Sequence, residues 1–310
     1  MADAAANDLF GYTLTDADGD NAISTLQITA AVADVAPIVR DDIIIAGHND
    51  NGGNEVIPVP AAALLWNDTD ANGDAITVSG TFTNVSNLAG VALVGGNVEM
   101  TDGSDGGSFT YTGTANGKSD TGNVILDRDQ EGKGNGEALE GNGLDNIIVS
   151  DSSGNILNGY EGNDVLLGGD GNDSLNGGTG RDWLVGGLGN HVATGGAGND
   201  LIDVSEGNTD TVRYESKLDG QDVITGFDNA GGTGAQDYIN LDPLFDNLGI
   251  GAGSRSALVD ISTSGGNTIV KVDVDGVAGF GANDIQITIL GITSGITKGT
   301  ATTDDIQLGS

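Results

Sequence analysis

Residues 159–203 repeat every nine positions, five times without a gap: GYEGNDVLL, GGDGNDSLN, GGTGRDWLV, GGLGNHVAT and GGAGNDLID. The pattern is G-G-x-G-x-D-x-U-x, with U a large apolar residue, so each block has a glycine-rich half and an alternating half. Paired glycines reach backbone angles closed to other residues, and the first six positions therefore read as a tight turn. The last three read as a short strand whose U side chain points inward while its neighbours point out. Stacked units of this kind form a two-sheet parallel coil with a continuous interior.

Two blocks complete one turn of such a coil, so equivalent edges recur at twice the nine-residue period. This puts the sixth-position residues Asp164, Asp182 and Asp200 in one row and Asn155, Asp173 and His191 in the other. A carboxylate row beside glycine carbonyls that no side chain covers is a ligand set for calcium, which takes six to eight oxygens in a flexible shell. The fourth-position glycines Gly162, Gly171, Gly180, Gly189 and Gly198 join the candidate set on that ground. The rows are unequal, because a hard cation prefers oxygen to the imidazole nitrogen of His191. No second His, Cys or paired carboxylate stands near His191 in sequence to make it a transition-metal or pH-sensing ligand, so it reads as a repeat defect.

Read backwards, EGNGLDNII (140–148) places Asp145 at the sixth position and Ile147 at the apolar one. SDSSGNILN (150–158) places Asn155 there, with Val149 as a one-residue insertion. About seven repeats result, with a predicted inner column of Ile147, Leu157, Leu166, Leu175, Leu184, Ala193 and Ile202. Ala193 is undersized and shares its repeat with His191.

The chain has 310 residues, with 46 acidic against 10 basic side chains and a formal charge of -36. Such a chain repels itself unless cations neutralise it, and nucleic acid is excluded as a partner. With 37% hydrophobic residues in alternating segments, cation-dependent folding is a better reading than disorder. The absence of cysteine excludes disulfides and zinc–thiolate sites. No run of about 18 apolar residues is present to span a membrane. The N-terminus lacks the basic and apolar regions of a secretory signal peptide. Met1 stands abruptly before strand-like sequence, so the expectation is a piece of a longer chain.

Four segments follow from the pattern. Residues 1–35 read as two strands (9–15 and 22–32) around an acidic loop with Asp16, Asp18 and Asp20, the closing hairpin of a preceding module or a linker. Residues 36–130 hold short alternating segments at 42–46, 54–60, 74–82, 91–94, 97–100, 108–111 and 122–126, the spacing of a β-sandwich. A helical turn is expected at 61–65, and Trp66, Phe82, Phe109 and Tyr111 read as core. Residues 131–205 are the roll, and 206–310 carry further strands. Within the second segment Asp68, Asp70, Asn72 and Asp74 match the opening of a calcium loop. Ser79 at the twelfth position excludes an EF-hand, which leaves either a calcium site at strand ends or a solvated turn; Asp16, Asp18 and Asp20 share that alternative.

The phrases YTLTDADGD, IPVPAAALLWNDTDANGDAITV and GGSFTYTGTANGKSDTGNV resemble the cadherin-like or immunoglobulin-like modules of giant RTX (repeats-in-toxin) adhesins, and the nonapeptides resemble their β-roll. LDGQDVITGFD (218–228) is similar to the segment that follows RTX blocks in exported proteins. The resemblance implies an all-β chain: an Ig/cadherin-like β-sandwich, a parallel β-roll and a C-terminal β-rich cap. It also implies several Ca2+ ions, export by type I secretion machinery through an uncleaved C-terminal signal, and a place on the bacterial surface. Asp219, Asp222, Asp228 and Asp237 then supply further calcium oxygens, while Asp273-Val-Asp275-Gly reads as a hairpin turn.

The outer faces of the roll differ as well. Val165, Leu167, Trp183, Val185 and Leu201 make one face apolar, whereas Ser174, Asn176, Val192 and Thr194 make the other mostly polar. The expectation is that residues 206–310 fold back over Trp183, with sugar stacking on an exposed Trp183 as the alternative. The leading functional reading is a non-enzymatic structural and secretion region of an adhesin, monomeric and not inserted in a membrane. The other readings are the tail of a secreted RTX hydrolase, an ice-binding roll, and direct binding of a cell-surface sugar or protein by regions the sequence does not identify. No H-E-x-x-H or G-x-S-x-G motif supports catalysis here, and only Thr179 among the third positions suits an ice-binding ladder.

Overall fold

The computed structural model describes residues 7–15, 21–29, 34–47, 55–102, 106–128, 138–152, 154–206, 208–229, 236–277, 279–281, 284–300 and 304–309. The nonapeptides form the two parallel sheets their period dictates. Asn146–Val149, Val165–Asp170, Trp183–Leu188 and Leu201–Asp203 stack in one sheet. Ala138–Glu140, Ile156–Glu161, Ser174–Gly180 and Val192–Gly198 stack in the other. Most strands run past the three alternating positions and through the paired glycines. Register is set by the apolar position: Leu166 lies beside Leu184, and Leu157 beside Leu175.

The interior is a single file of buried apolar side chains: Leu139, Ile148, Leu157, Leu166, Leu175, Leu184, Ala193 and Ile202. Each full-sized member contributes about 1.5–3 kcal/mol relative to exposure. Here the expected register of the first repeat is corrected. Ile148, not Ile147, pairs with Leu166, and Ile147 pairs with Val165 on the outer face. The repeat therefore begins at Gly141, Val149 is its ninth residue rather than an insertion, and Asn146 rather than Asp145 takes the sixth position.

The glycines that matter most are those at the fourth position. Gly189 has φ +147°, and a Cβ there would lie 1.5 Å from the carbonyl oxygen of Gly171 one turn earlier. Gly180 is placed alike, 1.6 Å from the oxygen of Gly162. The turns thus stack backbone on backbone. Gly189→Ala is expected to destabilise the roll by at least about 2 kcal/mol, because the clash is with main chain that cannot move aside. Urea unfolding in calcium checks this; a midpoint equal to wild type would show that the turns can separate.

The N-terminal part joins the roll through one strand. Asp42–Ala46 pairs in parallel with Lys118–Asp127 on one side and with Asn146–Val149 on the other. Ile45 enters the core of the roll, while Ile44 and Ala46 enter a second core with Val59, Leu64, Met100, Phe109, Tyr111 and Val124. Like other parallel strands it is apolar on both faces. Gly106–Ala115 pairs antiparallel with Lys118–Asp127, and a separate sheet orders Val56–Pro60, Asn97–Asp102 and Leu88–Val94. The strand expected over 74–82 is reduced to Thr77–Val78, and Thr83–Ser86 adds a strand the sequence did not signal. Asn7–Thr15 and Asn21–Thr29 form an antiparallel pair.

The apolar outer face of the roll is covered, but from the N-terminal side. Ile147, Val149, Val165, Leu167, Trp183 and Val185 share the second core with Ala63, Leu64 and Trp66. Trp66, just after the helical turn Ala61–Leu64, meets Trp183 with ring centroids 5.5 Å apart. Its indole N–H donates to the Arg181 carbonyl at 2.9 Å, and the Arg181 guanidinium lies 3.8 Å over its ring. The expected covering of Trp183 by residues 206–310 is therefore corrected. The apolar run before Trp66 needed a partner, and the shared strand Asp42–Ala46 brings it alongside the roll.

Residues 206–310 instead prolong the coil. Thr211–Arg213 and Tyr238–Asn240 extend one sheet, and Gln221–Thr225 followed by Ile285–Ile289 extends the other. Val212, Ile224, Ile239 and Ile306 continue the inner file. The open end is then closed by the helix Asp242–Asn247, which buries Leu244 and Phe245, and by the antiparallel strands Val259–Ser264 and Asn267–Val272. A solenoid needs such an end, since its last rung otherwise exposes core and strand edge.

Candidate calcium rows

The sixth-position side chains line up as the period requires. Asn146, Asp164, Asp182 and Asp200 donate their backbone N–H groups to Oδ1 of Asp164, Asp182, Asp200 and Asp222, each at 2.8 Å. Every carboxylate in this row is thus fixed by the turn before it. The second oxygen of each is different: Oδ2 of Asp164, Asp182 and Asp200 is buried and has no hydrogen-bond partner among the described residues, while the buried Tyr214 hydroxyl faces Asp222. A buried carboxylate oxygen left unpaired is costly unless a cation meets it.

The backbone leaves room beside these oxygens. A Cβ on the first-position glycines Gly159, Gly177 or Gly195 would sit 2.4 Å from Oδ2 of Asp164, Asp182 or Asp200. Glycine is needed there to keep the space beside the carboxylate open. The nonapeptide pattern points to the fourth-position glycines Gly162, Gly171, Gly180, Gly189 and Gly198. In the structure their most evident task is close stacking between turns, and the first-position glycines frame the carboxylates. Buried oxygens without partners beside glycine backbone fit a hard cation with oxygen ligands.

Electrostatics points the same way. Burial pushes the carboxyl groups of Asp164 and Asp200 up to about 7 and those of Asp182 and Asp222 up to about 8, against backbone N–H donors that pull them down. The neighbouring carboxylates of the row add to the rise for Asp182 and Asp222. Without a cation the row is a line of acids that resist ionising at neutral pH.

The opposite row runs Asn155, Asp173, His191, Asp210 and Asp237. Asn155 N–H donates to Asp173 Oδ1 at 2.7 Å, and Asp173 N–H donates to His191 Nδ1 at 3.2 Å. His191 N–H donates to Asp210 Oδ1 at 2.7 Å, and Asp210 N–H to Asp237 Oδ1 at 2.9 Å. The imidazole thus does the structural work of the missing carboxylate, accepting the same backbone bond. The ring is buried, and its Nδ1 also lies 3.4 Å from Oδ2 of Asp173. Burial opposes protonation of His191, but the carboxylates of Asp173 and Asp210 outweigh it and raise the ring above the ordinary histidine value.

Both rows continue past the glycine-rich repeats. Asp222 extends the first and Asp237 the second, at spacings of 22 and 27 residues from their predecessors. Asp210, which the sequence reading left out, is the link between His191 and Asp237. The surviving signal was the tripeptide Asp-x-U, in Asp210-Thr-Val, Asp222-Val-Ile and Asp237-Tyr-Ile, after the glycine half had been lost. Asp219 is buried beside the first row, but its Oδ2 already accepts the N–H groups of Glu215 and Ser216. Asp228 lies where its N–H reaches Asp237 Oδ2.

Other candidates are placed differently. Asp145 is corrected out of the row: it stands beside Asn163, whose backbone N–H it accepts at 2.7 Å. In the loop 68–74, Asp70 Oδ1 accepts the N–H of Asn72 and of Asp74, and Asn72 Oδ1 accepts that of Val35. Asp68 accepts the Arg40 N–H and the Tyr111 hydroxyl, and burial pushes its carboxyl up to about 6. Asp16, Asp18 and Asp20 lie outside the described residues. Asp273, Asp275 and Asp284 bring carboxylate oxygens within 4.8 Å of one another. Their oxygens accept backbone N–H groups of Gly276, Val277, Val274 and Gly281 within the connection between Asn267–Val272 and Ile285–Ile289, which is longer than a tight hairpin turn.

Among the described residues no helix is long and apolar enough to cross a membrane. No curated protein matches the chain. One similar solved structure is the solution structure of the AlgE6R3 subunit from the Azotobacter vinelandii mannuronan C5-epimerase. It is 26% identical, covers 52% of this chain and 73% of that one, and has a TM-score of 0.23. Another is the crystal structure of the extracellular lipase LipA from Serratia marcescens, at 13% identity and TM-score 0.23, covering 60% of this chain and 44% of the lipase. Residues 140–175 and 176–209 match the RTX calcium-binding nonapeptide repeat family. The segment that builds the central turns of the coil and its two carboxylate rows thus carries RTX calcium-binding repeats.

Proposed function

We propose that this chain is a calcium-dependent structural and secretion region of a bacterial surface adhesin, which folds when it meets extracellular calcium after type I export. The observation that carries the calcium part is the row of buried, unpartnered oxygens on Asp164, Asp182 and Asp200. Extracellular calcium modules bind at about 10⁻⁴–10⁻³ M, so a chain of this kind stays loose in a low-calcium cytosol and passes an export channel unfolded. Ion binding and folding are then one thermodynamic event. In this reading the segment has no catalytic role. The Ig/cadherin-like character of residues 36–130 and the secretion signal within 206–310 rest on the resemblance of the phrases quoted above.

Calcium titration followed by far-UV circular dichroism tests the central claim. The β signal is expected to rise cooperatively with calcium and to collapse in chelator. Complete β-structure in chelator at neutral pH sinks it. For the adhesin part, cells lacking this chain are expected to lose calcium-dependent surface attachment; wild-type attachment would instead favour the tail of a secreted RTX enzyme.

A further inference from the structure

The first row does not end as it runs. Along it a first-position glycine stands five residues before each aspartate and keeps the space beside Oδ2 open: Gly159 for Asp164, Gly177 for Asp182 and Gly195 for Asp200. Register identifies the residue in that place on the last turn. Val212 lies beside Ala193 in the parallel sheet. Two residues beyond Ala193 stands Gly195, and two beyond Val212 stands Tyr214. The backbone keeps the ladder there, since Tyr214 N–H donates to the Asn240 carbonyl at 3.0 Å. The place that glycine holds beside Asp200 is thus held by a tyrosine on the way to Asp222.

The connection that follows is built to take the ring. Asp222 comes eight residues after Tyr214 rather than five, and Asp219 folds the added length by accepting the N–H groups of Glu215 and Ser216. The extra residues give a phenol the room that a nonapeptide turn denies to a single Cβ. Tyr214 is 2% exposed and belongs to the inner core, with its hydroxyl buried and facing Asp222. Burial first, and then the carboxylates of Asp222, Asp219 and Asp200, hold the phenol far above its ordinary value, so it keeps its proton. The hydroxyl in turn pulls the Asp222 carboxyl down against burial. Beyond Asp222 the row has no further member, because the next strand sets the buried Ile287 beside it.

We propose that Tyr214 stands in a calcium ion's place and ends the first row: its hydroxyl donates to Asp222 Oδ2, so Asp164, Asp182 and Asp200 ligate ions while Asp222 ligates none. This rests on the calcium reading of the row. Both Asp222 oxygens then accept from the protein, Oδ1 from Asp200 N–H and Oδ2 from the phenol. A buried acceptor with such a donor is no longer an orphan that a cation must meet. The last turn, which carries the closing helix and strands, is held by a hydrogen bond at the edge where earlier turns use an ion.

The test is the number of calcium ions bound per full-length chain, measured by equilibrium dialysis on folded protein. Asp222→Asn is expected to bind the wild-type number, whereas Asp182→Asn binds fewer. Asparagine keeps Oδ1 for Asp200 and offers its amide N–H to the phenol oxygen. One ion fewer in Asp222→Asn overturns the proposal and leaves the calcium reading intact. The wild-type number in Asp182→Asn as well sinks that reading, and the proposal with it. Tyr214→Phe keeps the ring and decides if Asp222→Asn does not fold. It is expected to bind the wild-type number with a lower urea midpoint in calcium, because Asp222 Oδ2 has lost its donor. One ion fewer in Tyr214→Phe would make the hydroxyl a ligand, and an unchanged urea midpoint would show that it does not bond Asp222. Either result overturns the proposal.

Discussion

Asp182→Asn is expected to raise the calcium concentration at half-folding by at least about tenfold, or 1.4 kcal/mol. Asp182 is the middle of the first row: its Oδ1 accepts from Asp164, its own N–H donates to Asp200, and its Oδ2 is a buried orphan. Asparagine retains an oxygen and the shape, so the loss reports the ligand charge rather than packing. His191→Asp is expected to move the midpoint the other way, since it returns a carboxylate to the second row without disturbing the bond from Asp173. Calcium titrations of the two variants beside wild type check both signs. Identical midpoints for wild type and Asp182→Asn would show that the row does not bind the ions that drive folding.

The second large effect is a reversal of pH dependence on chelation. Burial raises the carboxyl groups of Asp164 and Asp200 to about 7, and of Asp182 and Asp222 to about 8, in the folded chain. Unfolded aspartate titrates near about 3.9. A raised folded value means the folded state binds more protons, so this contribution to stability is present below about pH 4 and is lost as pH rises to about 8. In chelator, acid is therefore expected to restore β-structure that neutral pH removes. In calcium the sign inverts, because protons compete with the ion for the same oxygens. The net charge of -36 also favours acid in chelator, so the decisive comparison is with Asp182→Asn, in which one raised group is gone. Circular dichroism between about pH 5 and about pH 8 reads the effect. A chelated wild type whose signal is flat over that window, or falls toward acid, contradicts the burial argument.

Much of the roll was legible because its rule is local. Leu157, Leu166, Leu175, Leu184, Ala193 and Ile202 stand in the inner file as the nine-residue period predicts. Asp164, Asp182 and Asp200 share one edge for the same reason. The failures came where the period weakens. Asp145 matches the pattern by residue type while Asn146 holds the sixth position, and Asp210 holds a row position with no glycine pairs around it. In the loop 68–74 the spacing of acids was readable, but the bonds that tie them to Val35, Arg40 and Tyr111 come from distant segments.

The nonapeptides alone determined a parallel coil, its inner file and two unequal edges of calcium-type ligands, since each follows from alternation and turn geometry within nine residues. Only the tertiary structure decided what the coil leans on. Trp66 is more than a hundred positions before Trp183, and no periodicity links them. They meet because Asp42–Ala46 is apolar on both faces and must be buried on both, which lays the N-terminal sheet against the outer face of the roll.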